Sequence, residues 1–82
     1  MPEQFNSIGG ILRKWRTEKG LNQQQVAALT DIPQSTVSEY ETGRRFPPFS
    51  YVSRLAAELT IDTDGDEFEQ ARAIIVDQLL TA

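Results

Sequence analysis

Residues that break helices divide this chain into short pieces, and that punctuation constrains its fold more than any other feature. Gly20, the run Thr30-Asp31-Ile32-Pro33, Gly43 with Pro47 and Pro48 behind it, and Asp62-Thr63-Asp64-Gly65 each interrupt an apolar pattern of helical spacing. Few stretches alternate as a half-buried strand does, and no internal repeat or low-complexity run appears. The expected class is therefore all-α, a compact five-helix bundle. At 82 residues the chain has room for one domain, residues 1–82, with a thin stability margin.

The first helix is expected from about Ile8 to Lys19, capped by Asn6 or Ser7, with Ile8, Leu12 and Trp15 on its inner line and Gly20 as its stop. Gly9 and Gly10 weaken its first turn. Asn22 opens a second helix, and Gln25, three residues on, completes a capping box; Val26, Ala27 and Leu29 form its interior line. Pro33 lacks an amide proton and suits the opening of a third helix, about Gln34–Thr42, with Val37 and Tyr40 inward and Gly43 at its end. Ser50 is the expected cap of a fourth helix carrying Val52, Leu55, Ala56 and Leu59, with Ile61 packing after it. A fifth, about Asp66–Leu80, has acids in its first turn and a wide apolar arc of Phe68, Ala71, Ile75 and Leu79 beside Ile74, Val76 and Leu80.

The composition excludes several kinds of chemistry. There is no Cys and no His, so the usual zinc ligands, thiol nucleophiles and imidazole bases are missing, and no carboxylate pair stands at a spacing that points to hydrolysis. An enzyme is not expected, nor a cofactor or a small-molecule substrate. Asp62, Asp64 and Asp66 do not make an EF-hand loop, because its sixth and twelfth places fall on Glu67 and Ala73. The start Met1-Pro2-Glu3-Gln4 is unlike a secretory signal, and no stretch is long and apolar enough to span a bilayer, so the expected compartment is the cytoplasm, without a membrane partner.

Net charge is −4, but it is unevenly spread. Residues 1–56 hold seven Lys and Arg against five acids, and residues 57–82 hold one Arg against seven acids. A mildly basic working face with an acidic segment held away from a polyanion fits that split; a solvated acidic surface fits it equally.

Two short helices joined by a tight turn, Gln23–Thr30 and Gln34–Thr42, have the form of a helix-turn-helix, in which the second helix enters the DNA major groove. The stretch Gly20 to Gly43, GLNQQQVAALTDIPQSTVSEYETG, resembles the phage-repressor/Cro family, also called the xenobiotic-response-element family. The resemblance includes Leu12 and Arg16, Gly20-Leu21, Gln23, Ala27, Val37, Glu41 and Gly43, and runs on through Pro47, Val52, Leu55-Ala56 and Leu59, covering about residues 8–61. Asp31 stands where a turn Gly is usual and Pro33 where a hydroxyl cap is usual; Asp tolerates a left-handed turn and Pro fits a helix start.

The resemblance implies a bundle of the lambda-repressor type that binds double-stranded DNA as a homodimer. It places Gln34, Ser35 and Glu39 against base edges, flanked by Thr36 and Ser38, and makes Gln23 a brace for the recognition helix that also meets a phosphate. The side-chain chemistry agrees: Gln pairs with adenine N6 and N7, Ser bonds to several bases, and a carboxylate accepts from cytosine N4. A bare Glu39 near phosphates is repelled unless such an amino group or a basic side chain meets it. Phosphate contacts are expected from Asn22, Gln23, Arg44, Arg45 and Arg13, with Lys14 beside them. Arg16 and Glu41 resemble the family's buried ion pair and are read as structural. Trp15, Tyr40, Phe49 and Tyr51 are read as core rather than as base-stacking surfaces. The last helix lies beyond the family core; Phe68, Ala71, Ile75 and Leu79 are assigned to pairing with a second chain, packing back on its own bundle being the alternative. Such a dimer would place two recognition helices about 34 Å apart and select an inverted-repeat operator, as a repressor would. A different reading stays open, a protein-interaction module on a helix-turn-helix scaffold, such as an antitoxin or anti-repressor, whose acidic last helix binds a partner.

Overall fold

A computed structural model describes residues 7–81, which form five α-helices and, among the described residues, no strand. Asn6 and the segment Met1 to Gln4 lie outside the described residues. Helix α1 (Ile8–Glu18) starts at Ser7, whose hydroxyl accepts the Gly10 amide at 3.0 Å. It stops where Gly20 takes φ +71° and the Leu21 amide returns to the Arg16 carbonyl at 3.1 Å.

Helix α2 (Gln23–Thr30) begins with the capping box, both Asn22–Gln25 bonds measuring 2.8 Å. It ends at Asp31, which stands in the left-handed region at φ 58°. Its inner face differs from expectation. Val26 and Thr30, four residues apart, are the buried pair, and the Thr30 hydroxyl donates to the Val26 carbonyl at 2.8 Å. Leu29, one residue round the helix from Thr30, is 37% exposed.

Helix α3 (Gln34–Thr42) takes Pro33 as its N-cap and has no side-chain cap; the Pro33 carbonyl accepts the Thr36 and Val37 amides at 3.0 and 3.1 Å. Helix α4 (Phe49–Glu58) starts the same way from Pro48, so Ser50 lies inside its first turn and is not the cap. The extended Pro48 backbone directs its carbonyl at the Tyr51 and Val52 amides, a task that needs no hydroxyl. After Leu59 the chain turns through Thr60, a β-branched residue at φ 53°, and the Ile61 amide closes on the Ala56 carbonyl at 2.8 Å.

Asp62 shapes the next turn by accepting the Asp64 amide at 2.9 Å and the Gly65 amide on its carbonyl at 3.1 Å. Helix α5 (Asp66–Thr81) follows with Asp66, Glu67 and Glu69 in its first turn, where the helix dipole favours them.

The core is continuous. Helix α3 packs on α1 and α2, α4 packs on α2, and α5 closes over α1 and α4. Trp15 is fully buried at the centre; its ring stacks at 6.4 Å on Phe68, whose edge meets Phe49 at 6.0 Å. Tyr40 and Tyr51 are buried 4.7 Å apart between ring centroids, whereas Phe49 keeps 39% exposure. Truncating a buried aromatic of this kind costs about 3–5 kcal/mol, a large share of a small domain's stability.

The broad apolar arc of α5 divides in two. Phe68, Ala71 and Ile75 are buried in the core of their own chain, so in this structure they are packing residues and offer nothing to a second chain. The ring contacts with Trp15 and Phe49 account for this, since they seat α5 against both α1 and α4. Leu79 and Leu80 remain 73% and 80% exposed, and Val76 46%.

Candidate nucleic-acid interface

At 3.6 residues per turn, Gln34, Ser35, Ser38, Glu39 and Thr42 fall on one strip of α3, opposite the buried Val37 and Tyr40. Gln34, Ser35 and Thr42 are exposed, and Ser38 and Glu39 are half-buried. Thr36 lies round the helix from the middle of this strip and is half-buried, at its flank rather than within it. Thr42 was missed in the sequence, although its place four residues after Ser38 and eight after Gln34 marks it; its hydroxyl donates to the Ser38 carbonyl at 3.0 Å.

The back of α3 is fixed by a buried polar cluster. The Arg16 guanidinium donates from Nε to Glu41 Oε2 at 2.7 Å and from Nη2 to Oε1 at 3.0 Å, while Nη1 holds the Leu21 carbonyl at 2.9 Å. Gln23 Nε2 adds a bond to Glu41 Oε1 at 3.2 Å. With side-chain exposures of only 13% and 5% for Arg16 and Glu41, this network joins α1, α2 and α3 at one carboxylate. Nearby, α1 crosses α3 at Gly9, where a Cβ would stand 2.6 Å from the Glu41 carbonyl oxygen and 2.7 Å from that of Tyr40. The sequence showed Gly9 only as a weak spot in a helix; here the missing side chain allows the two backbones to touch.

Burial pushes the Tyr51 phenol up to about 12, the Glu41 and Tyr40 charges add to this, and the neighbouring Thr30 hydroxyl opposes it. Tyr51 is therefore neutral below strongly alkaline pH and serves as packing.

The expected phosphate ligands have different surroundings. Asn22 is exposed, with its side-chain oxygen engaged in the capping box. Gln23 is half-buried and directed at Glu41. Arg44 and Arg45 are exposed just past Gly43, and Arg13 lines an open cleft together with Thr42 and Gly43, which brings it to the C-terminal end of α3. Arg45 Nε donates to Glu39 Oε1 at 3.0 Å, so the acid on the strip is met by a base.

Lys14 is drawn elsewhere. Its ammonium bonds to Glu67 of α5, and that bond, with the charge behind it, raises the Lys14 pKa. The other Glu67 oxygen accepts the Trp15 indole N–H at 3.0 Å. Among the described residues no group of three acidic side chains is placed to hold a metal ion, and no helix is long and apolar enough to cross a membrane.

The chain matches the helix-turn-helix family over residues 12–65. It is 36% identical over 58 residues to an uncharacterized HTH-type transcriptional regulator of Archaeoglobus fulgidus; the match covers 71% of this chain and 25% of that protein, so the chain spans a fraction of its relative's length. No solved structure matches it. The match extends from the core of α1, through the α2–α3 pair, to the turn before α5, and the chain belongs to the xenobiotic-response-element type of the helix-turn-helix family of DNA-binding regulators.

Proposed function

We propose that this protein is a sequence-specific transcriptional regulator that occupies an inverted-repeat operator as a homodimer, in the simplest case as a repressor that blocks polymerase. The observation that carries this reading is the outward polar strip of α3, Gln34, Ser35, Ser38 and Glu39, on a helix fixed from behind by Val37, Tyr40 and the Arg16–Glu41–Gln23 network. In this reading Gln34 pairs with an adenine, Ser35 bonds a neighbouring base, Glu39 accepts from cytosine N4, Ser38 lies between them as a further contact, and Thr36 touches the edge of the site. Arg44, Arg13, Asn22 and Gln23 set the register on the phosphates, and Arg45 stands beside Arg44 with its guanidinium on Glu39.

The second chain would use the part of α5 left uncovered, Leu79 with Val76 and Leu80, since Phe68, Ala71 and Ile75 are spent inside the monomer. That same stripe, beside Glu69 and Asp77, also supports the other reading, a module that binds a protein partner.

Selecting duplexes from a random pool at two salt concentrations, with the mass of the complex measured alongside, separates the two. Enrichment of an inverted repeat bound by two chains supports the regulator. Weak binding without enrichment, losing affinity steeply with salt, supports the partner module. On an enriched site, Gln34→Ala should cost about 1–3 kcal/mol at a single base pair; an equal loss on every sequence would remove Gln34 from base reading.

A further inference from the structure

Glu39 and Arg45 are joined twice. Gly43, at φ 84°, turns the chain back at the end of α3, and the Gly43, Arg44 and Arg45 amides all point at the Glu39 carbonyl, those of Arg44 and Arg45 at 3.0 and 3.2 Å. The same turn brings the Arg45 guanidinium over the helix end to the Glu39 carboxylate, Nε to Oε1 at 3.0 Å. The pair is at the surface, with side chains 61% and 37% exposed, so it adds little to folding. Its place is what matters, because it puts a neutralised carboxylate on the strip that the regulator reading turns toward DNA.

We propose that Arg45 is a positioning residue for Glu39, cancelling its charge and fixing its carboxylate so that the acid reads a cytosine amino group, rather than an independent phosphate anchor. The proposal rests on the regulator reading above. An uncovered Glu39 would face the phosphates as a like charge and weaken binding to any duplex. With Arg45 in place, one carboxylate oxygen is engaged and the other is left to accept from cytosine N4. Arg44, which precedes it and makes no bond to Glu39 through its side chain among the described contacts, remains the phosphate ligand of the loop.

The test is a double-mutant cycle on Glu39→Gln and Arg45→Ala. Affinities are measured on the best duplex that the native chain enriches from a random pool and on each of its single base-pair variants. Arg45→Ala should weaken binding about tenfold or more and abolish a cytosine preference at one position. Glu39→Gln should abolish the same preference, and adding Arg45→Ala to it should cost less than about threefold. Loss by the same factor in both backgrounds, with the cytosine preference intact, overturns the proposal and makes Arg45 a phosphate contact. If the native chain enriches no duplex, the regulator reading itself has failed, a result that differs visibly from an additive cycle.

Discussion

The seam between α1 and α3 and the seam between α5 and the rest of the bundle hold their helices by different physics. Across the first, a buried carboxylate gathers Arg16 and Gln23, and Gly9 brings two backbones into contact. Across the second, aromatic and aliphatic side chains pack together, with Glu67 as the described polar link, shared between Lys14 and Trp15. Directional bonds fix angle and register, whereas ring packing tolerates small shifts. The helix that the proposed function turns toward base edges is held by the first kind, and the helix outside the family core by the second.

Breaking the polar seam should have the largest effect. Arg16→Leu leaves Glu41 buried with Gln23 as its remaining partner, and should cost about 3–5 kcal/mol, read as a fall in the urea midpoint. An effect below about 1 kcal/mol would mean that the cluster does not set the position of α3. Gly9→Ala comes next: helix propensity gains from the change, but a Cβ against two carbonyl oxygens forces α1 and α3 apart. A net loss of about 1–3 kcal/mol is expected, with DNA affinity falling further than stability alone explains.

At the apolar seam, Glu67→Ala deprives the fully buried Trp15 indole of its acceptor and should cost about 1–2 kcal/mol. Tryptophan emission, which comes from Trp15 alone, should shift in the folded protein. An unchanged spectrum would show that α5 is not clamped there. The smallest effect on folding should come from Leu79→Lys with Leu80→Lys, within about 0.5 kcal/mol. If these leucines join two chains, the same double change should lower the mass in solution, and an unaltered mass would detach the dimer from α5.

The same two seams divide what was legible in the sequence from what was not. Caps and breakers act through neighbours in the chain, so the Asn22–Gln25 box, the Gly43 stop and the limits of α2 and α3 followed from spacing. The two proline-started helices were harder, because a carbonyl cap leaves no side-chain signature; one was placed and the other was shifted from Pro48 to Ser50. Leu29 and the α5 arc show the remaining limit. Apolar periodicity gives a face but not what covers it, and only the stacking of Phe68 on Trp15 decides that Phe68, Ala71 and Ile75 turn inward. The Arg45–Glu39 bond was not foreseen either, since it depends on how the chain reverses after Gly43.

Thr60 bears on how this protein can change. A β-branched residue in the left-handed region works against the bundle by on the order of 1 kcal/mol, a sizeable part of the few kcal/mol that separate a small domain from its unfolded state. It lies after α4, outside the strip on α3, so exchanging it for Gly or Asn leaves that strip untouched. Relaxing that single turn would give the chain mutational headroom, in which destabilising replacements could be tolerated while the α3 strip, the proposed site of base reading, changes.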